Sequence, residues 1–145
     1  EHRYNMVKLA IENNPNFEIS DIEYKREGNS YTYLTILELQ KKYNTQDKIN
    51  FIIGTDAFEK IKTWYETDKL KNLVHFIVFP RGEINQTKLE ILKNNGYDFE
   101  LAEMEYIDVS SSEIRKNISN NVSIESIEIP KVSEYIKKYG LYKMA

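Results

Sequence analysis

Ser110-Ser111-Ser112-Glu113-Ile114-Arg115 carries three consecutive hydroxyls, then a carboxylate, then a guanidinium one helical turn further on. Read as a capping box, Ser110 is the N-cap and Glu113 is N3, each satisfying the other's orphan backbone donor. That accounts for one serine and the glutamate. Ser111, Ser112 and Arg115 suit an anion cradle, in which free N–H groups, the positive end of a helix and a bidentate cation converge on a phosphate. Ile53-Gly54-Thr55-Asp56 also reads two ways. Gly54 permits a turn and Thr55 or Asp56 caps a helix, or Asp56 accepts hydrogen bonds from a ribose in a nucleotide site. Trp64, the single tryptophan, is either a core residue or an aromatic face able to stack on a flat heterocycle.

Other chemistries find no anchor. The chain has no cysteine, which excludes thiol catalysis, disulfides and cysteine-ligated zinc. His2 and His75 are too few and too far apart for a paired metal site, and His75 reads as structural. No Ser–His–Asp arrangement or defined carboxylate pair can be argued, and neither GxGxxG nor GxxxxGK[ST] occurs.

The elements that must position these residues follow from periodicity. Tyr4, Val7, Leu9, Ala10 and Ile11 give a helical stripe ending at Asn13-Asn14-Pro15-Asn16. Phe17 to Tyr24 alternates with one phase slip, which predicts a strand with a bulge. Glu27-Gly28-Asn29 is a turn and Thr32 to Tyr43 a helix. Ile49 to Ile53 predicts a parallel strand covered on both faces. Phe58, Ile61 and Trp64 or Tyr65 fit one helix face, and Asp68 caps a short helix carrying Leu70 and Leu73. His75 to Phe79 is a second buried strand, Lys88 to Asn95 a helix ended by Gly96, and Phe99 to Ile107 mostly strand. Ser110 to Ile118 and Pro130 to Tyr139 are helices, the latter with Pro at its start and Gly140 at its end. Alternating strands and helices predict an α/β fold with a doubly wound parallel sheet over a single unit, residues 1–145. Ligands in such sheets lie beyond the carboxyl ends of the strands. That singles out Gly54-Thr55-Asp56, Pro80-Arg81-Gly82 and Asp108 to Ser112.

The chain has 145 residues, net charge −3, and no apolar run approaching the roughly 18 residues of a membrane span. Mild acidity argues against a duplex-binding surface, so no nucleic acid, no membrane and a cytoplasmic setting are expected. Only four of its 20 basic residues are Arg (Arg3, Arg26, Arg81, Arg115), which suggests that each serves where a planar, bidentate donor is wanted. The start at Glu1 rather than Met leads us to expect a processed, excised or incompletely represented piece of something longer.

Together the motifs resemble a known family. His2-Arg3 with Met6 to Ile11 resembles HRxxMxxLAI, and Arg26 to Thr32 resembles REGxSYT. Ile53 to Phe58 followed by Trp64 resembles IGxDxF…W, His75 to Gly82 resembles FIVxxRxG, and Val109 to Arg115 resembles ISSTxIR. Their order and spacing are similar to bacterial nicotinate-nucleotide adenylyltransferase from Glu1 to about Tyr142. The resemblance implies a Rossmann-like nucleotidyltransferase domain that joins ATP and nicotinate mononucleotide into deamido-NAD with release of pyrophosphate, using Mg²⁺. It implies that Trp64 stacks on the pyridine ring, while Thr32 and the backbone near Trp64-Tyr65 hold the nicotinate carboxylate. Gly54 and Asp56 would line the nucleotide site, and Ser110, Ser111 and Arg115 would contact ATP phosphates, with Arg115 stabilising charge on them. Nucleotidyl transfer relies on positioning and charge stabilisation, so the lack of a protein nucleophile is no objection.

Two departures stand out. Leu34 occupies the place of the usual Asp in SYTxDT. The signature GGxFxPxHxGH, whose histidines orient the triphosphate, does not occur in this chain, nor does the family's first strand-helix-strand portion. The expectation is an N-terminally truncated domain that is inactive and poorly folded alone. A nucleotidyltransferase using nicotinamide mononucleotide and a non-catalytic nucleotide-binding remnant stand as alternatives, and a homo-oligomer is compatible with either.

Overall fold

The computed structural model describes residues 1–26, 28, 31–104, 110–124 and 129–143. In chain order its elements are α1 (His2–Ile11), α2 (Ile22–Lys25), α3 (Thr32–Lys42), β1 (Ile49–Gly54) and α4 (Thr55–Phe58). A 3₁₀ turn (Ile61–Thr63) leads to α5 (Thr67–Leu70), β2 (Val74–Phe79), α6 (Gln86–Asn94), β3 (Phe99–Leu101), α7 (Ser111–Ser119) and α8 (Pro130–Tyr139). They fall into two compact units, Lys25–Ile107 and Glu1–Tyr24 with Asp108–Ala145. Among the described residues no helix is long and apolar enough to cross a membrane.

The unit Lys25–Ile107 is built on a three-stranded parallel sheet, order β1-β2-β3. Ile49 stands opposite Val74 and Gly54 opposite Phe79, so β1 and β2 end together. Strand alternation puts Val74, Phe76 and Val78 on one fully buried face. Ile36 of α3, Phe58 of α4, Leu70 of α5 and Leu89 and Leu92 of α6 join that same cluster with Ile53. Phe58 and Phe76 sit at its centre, their rings 5.2 Å apart. Replacing either by Ala would cost about 3–5 kcal/mol. Arg26 explains one rare guanidinium: its two nitrogens donate to Thr35 Oγ1 at 3.0 Å and Glu38 Oε1 at 2.8 Å, fastening the chain before α3 onto that helix.

The unit formed by the two ends of the chain is helical. Ile124, Val132 and Ile136 pack against Met6 and Leu9 of α1 and Ile114 and Ile118 of α7. His2 stacks near Tyr135 and Tyr139, its Nδ1 2.8 Å from the Tyr135 hydroxyl, and Lys131 pairs with Glu12. Pro130 opens α8, and Gly140 closes it with a positive φ of 60° that favours glycine.

Several expectations need correcting. Residues 17–21 form no strand, and Ile22–Lys25 is helical. The phase slip from Ile19 to Ile22 is the change from irregular chain to helix, marked by Ser20 Oγ accepting the Ile22 N–H at 3.3 Å. The β1 strand is covered on one face only, since Asn50 and Ile52 are exposed, Ile52 at 65%. The helices of this unit all contribute to the cluster on the opposite face. Phe58, Ile61 and Trp64 do not share a continuous helix: α4 stops at Phe58, and Trp64 is already extended, with ψ 148°. A spacing of three suits this broken path as well as an α-helix. Glu66, not Asp68, precedes α5, and Asp68 lies in its first turn against Lys71. Strand β3 stops at Leu101 and residues 102–104 are not strand; the rest of the expected run, 105–107, lies outside the described residues, as do Glu27, Asn29, Ser30, Asp108 and Val109 of the predicted motifs.

Candidate functional site

Where β1 ends, the chain turns straight into α4, and Gly54, not Thr55 or Asp56, is the N-cap. Thr55 is fully buried because its hydroxyl is engaged elsewhere: it donates to the Arg81 carbonyl at 2.8 Å and accepts the Arg81 N–H at 2.8 Å. This clasp ties the carboxyl end of β1 to the loop after β2. Asp56 Oδ1 accepts the Ala57 N–H at 2.9 Å, and its Oδ2 lies 3.3 Å from Arg81 Nε. The reason for glycine at 54 is not φ, which is an ordinary −79°. A Cβ there would stand 2.7 Å from Asp56 Oδ1 and 3.4 Å from Arg81 Cδ. Gly54 thus leaves room for the carboxylate and guanidinium to fold back over the strand end.

Trp64 is half-buried, its ring edge-on to Phe51 at 6.2 Å, and packs on the core cluster. Its N–H is committed to the Ile61 carbonyl at 3.0 Å. The Tyr65 N–H and the Thr32 hydroxyl have no partner among the described residues. Of the backbone donors expected near Trp64-Tyr65, only that of Tyr65 is therefore open. Thr32 begins α3, and the tyrosines on either side of it both meet the Tyr65 ring: Tyr31 at 4.5 Å and 30°, Tyr33 at 6.3 Å. Leu34, in place of the expected Asp, is half-buried on α3. Within this unit the structure thus brings Gly54, Asp56 and Arg81 into one cluster and links the Thr32 and Trp64 segments through Tyr65.

In the other unit, Ser110 is the N-cap of α7, its Oγ accepting the Glu113 N–H at 3.1 Å. The capping reading holds in that half. Ser112 Oγ accepts from Arg115 at 3.4 Å. Ser111 and Arg115 line a groove of about 370 Å³ whose other walls are mostly apolar side chains of α1, α7 and α8, with Arg3 as a second cation. Neither Arg3 nor Arg115 forms an ion pair among the described residues.

Composition singles out Arg3 and Arg81 as rare arginines, and strand topology also singles out the Pro80-Arg81-Gly82 loop, but the resemblance assigns neither side chain a role. Tyr31 is legible only as a letter of the SYT motif, with no role attached, and Tyr33 gives no signal beyond following Thr32. His75 is structural: its Nδ1 is 3.1 Å from Asp98 and its Nε2 3.3 Å from Glu100, with Lys48 on Asp98 at 3.0 Å. Those carboxylates, Asp98 foremost, raise its pKa above the ordinary 6.5, while Lys48 and then His75 lower that of Asp98.

Comparison with known proteins bears on the family and the fold. Residues 1–117 match the Cytidylyltransferase-like family. A protein of Caldicellulosiruptor bescii named "Probable nicotinate-nucleotide adenylyltransferase" is 41% identical over 145 residues, covering 97% of this chain and 72% of that protein. The nicotinate-nucleotide adenylyltransferase of Bacillus subtilis is 34% identical, covering 98% of this chain and 71% of its own length. The chain belongs to the nicotinate-nucleotide adenylyltransferase family. A solved structure of the Plasmodium falciparum nicotinic acid mononucleotide adenylyltransferase, complexed with APC, superposes with a TM-score of 0.74 at 28% identity, covering 97% of this chain and 74% of that one. The same enzyme complexed with NaAD gives 0.73. The fold is accordingly the Rossmann-like one expected, with the Gly54 cluster at the carboxyl ends of two parallel strands, where ligands of such folds gather.

Proposed function

We propose that the protein transfers the adenylyl group of ATP to nicotinate mononucleotide, giving deamido-NAD and pyrophosphate. The observation that carries this reading is the pairing of two features in a chain 41% identical to a relative of that name. One is the glycine-spaced Asp56–Arg81 cluster at the ends of β1 and β2; the other is an aromatic segment with two open hydrogen-bond donors beside it. In the reaction a phosphate oxygen of nicotinate mononucleotide attacks the α-phosphorus of ATP, and the bond to the β-phosphate breaks, releasing pyrophosphate. The side chains supply position and charge.

On the acceptor side, Trp64 offers its free face to the pyridine ring, and Thr32 Oγ1 and the Tyr65 N–H donate to the nicotinate carboxylate. On the ATP side, Gly54 admits the nucleotide close to the backbone, and Asp56 accepts from its hydroxyls. Ser111 and Arg115 meet the phosphates, with Ser110 holding the start of α7. Residues 1–145 act as one nucleotidyltransferase domain in this reading. Among the described residues no group of three His, Asp or Glu side chains could hold a metal ion. Mg²⁺ is usually held by substrate phosphates with one or two carboxylates, and no step here is routed through it.

The test is product analysis on the native protein as the cell makes it, its intact mass compared with 17.2 kDa. Deamido-NAD should form faster from nicotinate mononucleotide than NAD from nicotinamide mononucleotide. Trp64→Ala should raise the acceptor KM about tenfold, equal to about 1.4 kcal/mol, and leave the ATP KM unchanged. Equal turnover of both acceptors, or an unchanged acceptor KM in the variant, would count against the assignment.

A further inference from the structure

We infer that Tyr31 is a positioning residue for the acceptor site, clamping the Trp64-Tyr65 segment to the start of α3; this rests on the acceptor reading given above. The two donors open to a carboxylate, Thr32 Oγ1 and the Tyr65 N–H, lie on segments more than thirty residues apart in sequence. What joins those segments at the surface is aromatic: the Tyr31 ring lies 4.5 Å from that of Tyr65, tilted by only 30°. Both rings are too exposed to count as core, Tyr31 at 39% and Tyr65 at 47%. Core packing therefore does not account for the contact, and its effect is local order.

The inner side of the same segment is fastened separately. Thr67 Oγ1 donates to the Ile61 carbonyl at 2.9 Å and meets the Tyr97 hydroxyl at 2.6 Å. Between these anchors lies Glu66, whose φ of 53° is unfavourable for a residue with a Cβ and persists only where its surroundings hold it. Thr67 holds the segment from within and Tyr31 from the solvent side. Without the Tyr31 ring, Tyr65 keeps only the more distant Tyr33 ring, at 6.3 Å, as an aromatic partner, and the hold of the Trp64-Tyr65 segment on the start of α3 loosens.

Because Trp64 is the one tryptophan of this sequence, its fluorescence reports on this segment. In the native protein, Tyr31→Ala should weaken nicotinate mononucleotide binding, read by Trp64 quenching, about tenfold. It should make Trp64 more accessible to acrylamide and leave ATP affinity within twofold. Tyr31→Phe keeps the ring and should restore both readouts. Should the alanine variant not fold, Tyr31→Leu, which keeps bulk but not the ring, should give the same result. Unchanged nucleotide affinity and accessibility in the Ala or Leu variant would overturn the clamp, as would equal impairment of Phe and Ala. If nicotinate mononucleotide fails to quench Trp64 in the unaltered protein, the acceptor reading falls and the clamp with it, an outcome distinct from the other two.

Discussion

Gly54→Ala is the substitution whose consequences the structure specifies most closely. Backbone strain does not enter, because φ at 54 is −79°, where alanine is comfortable. The added methyl instead meets Asp56 Oδ1 at 2.7 Å, well inside contact, and Arg81 Cδ at 3.4 Å. The carboxylate is the movable partner, so it rotates away. It then gives up its 2.9 Å bond from the Ala57 N–H and its 3.3 Å approach to Arg81. The side chains of Asp56 and Arg81 are 57% and 48% exposed, so the ion pair is a surface pair of about 0–1 kcal/mol. The hydrogen bond adds about 1 kcal/mol. The fold should therefore lose about 1–2 kcal/mol, a fall of about 3–8 °C in Tm.

Nucleotide binding should suffer more than stability, since the methyl also closes the approach to the backbone that glycine leaves open. Calorimetric titration should show ATP affinity reduced at least about tenfold, or about 1.4 kcal/mol. Asp56→Asn separates the two effects: it keeps an oxygen for the Ala57 N–H but removes the charge, so ATP affinity should fall with little change in Tm. The reasoning is refuted if Gly54→Ala destabilises by as much as a core truncation, or if it displaces the carboxylate and ATP binds as before.

Three further outcomes follow from particular contacts. Thr55→Val keeps the shape but removes both hydrogen bonds to the Arg81 backbone, so chemical denaturation should show a loss of about 1–3 kcal/mol; an unchanged midpoint would mean that the clasp is dispensable. Arg115→Ala should weaken ATP binding about tenfold, and Arg115→Lys should restore only part of it, because a lysine cannot grip a phosphate in two places; unaltered ATP affinity would leave α7 with a capping role alone. The pKa of His75 is raised by Asp98 and then Glu100, so its charged form stabilises the fold fully below about 6.5 and the benefit is lost as pH rises through the raised folded value. The Tm gap between the native protein and His75→Gln should thus be widest near pH 6 and close in alkaline buffer, and a gap independent of pH would contradict this.

The parallel strands were legible because Ile49 to Ile53 and His75 to Phe79 are short, mostly apolar runs, each followed by a glycine within a few residues. The capping of α7 was legible because Ser-x-x-Glu is a local chemical signal. What escaped was what tertiary structure alone decides. The spacing of Phe17, Ile19 and Ile22 looked like a slipped strand, and only the Ser20 turn shows it to be a helix start. Nothing local distinguishes a half-covered β1 from a fully covered one, because Ile52 is as apolar as Ile53. Thr55 looked like a cap, yet its hydroxyl is engaged with a residue 26 positions away, beyond the reach of any local pattern.

The arginines show how a compositional oddity becomes a structural argument. In a lysine-rich chain each one suggested a demand for a planar fork. For Arg26 the protein meets that demand itself, with Thr35 and Glu38, and for Arg81 it does so with Asp56. Arg3 and Arg115 differ: they line one groove, and no carboxylate answers either among the described residues. Like charges left on one surface repel, and a fold keeps them there at some expense unless an anion visits. Ser111 on the same groove adds a hydroxyl that can donate to such an anion. A polyphosphate satisfies this combination better than a lone carboxylate, because two guanidiniums on separate helices can each engage a different phosphate. The uneven pairing of four arginines therefore supports the ATP side of the proposed reaction, independently of the motif that first drew attention to Arg115.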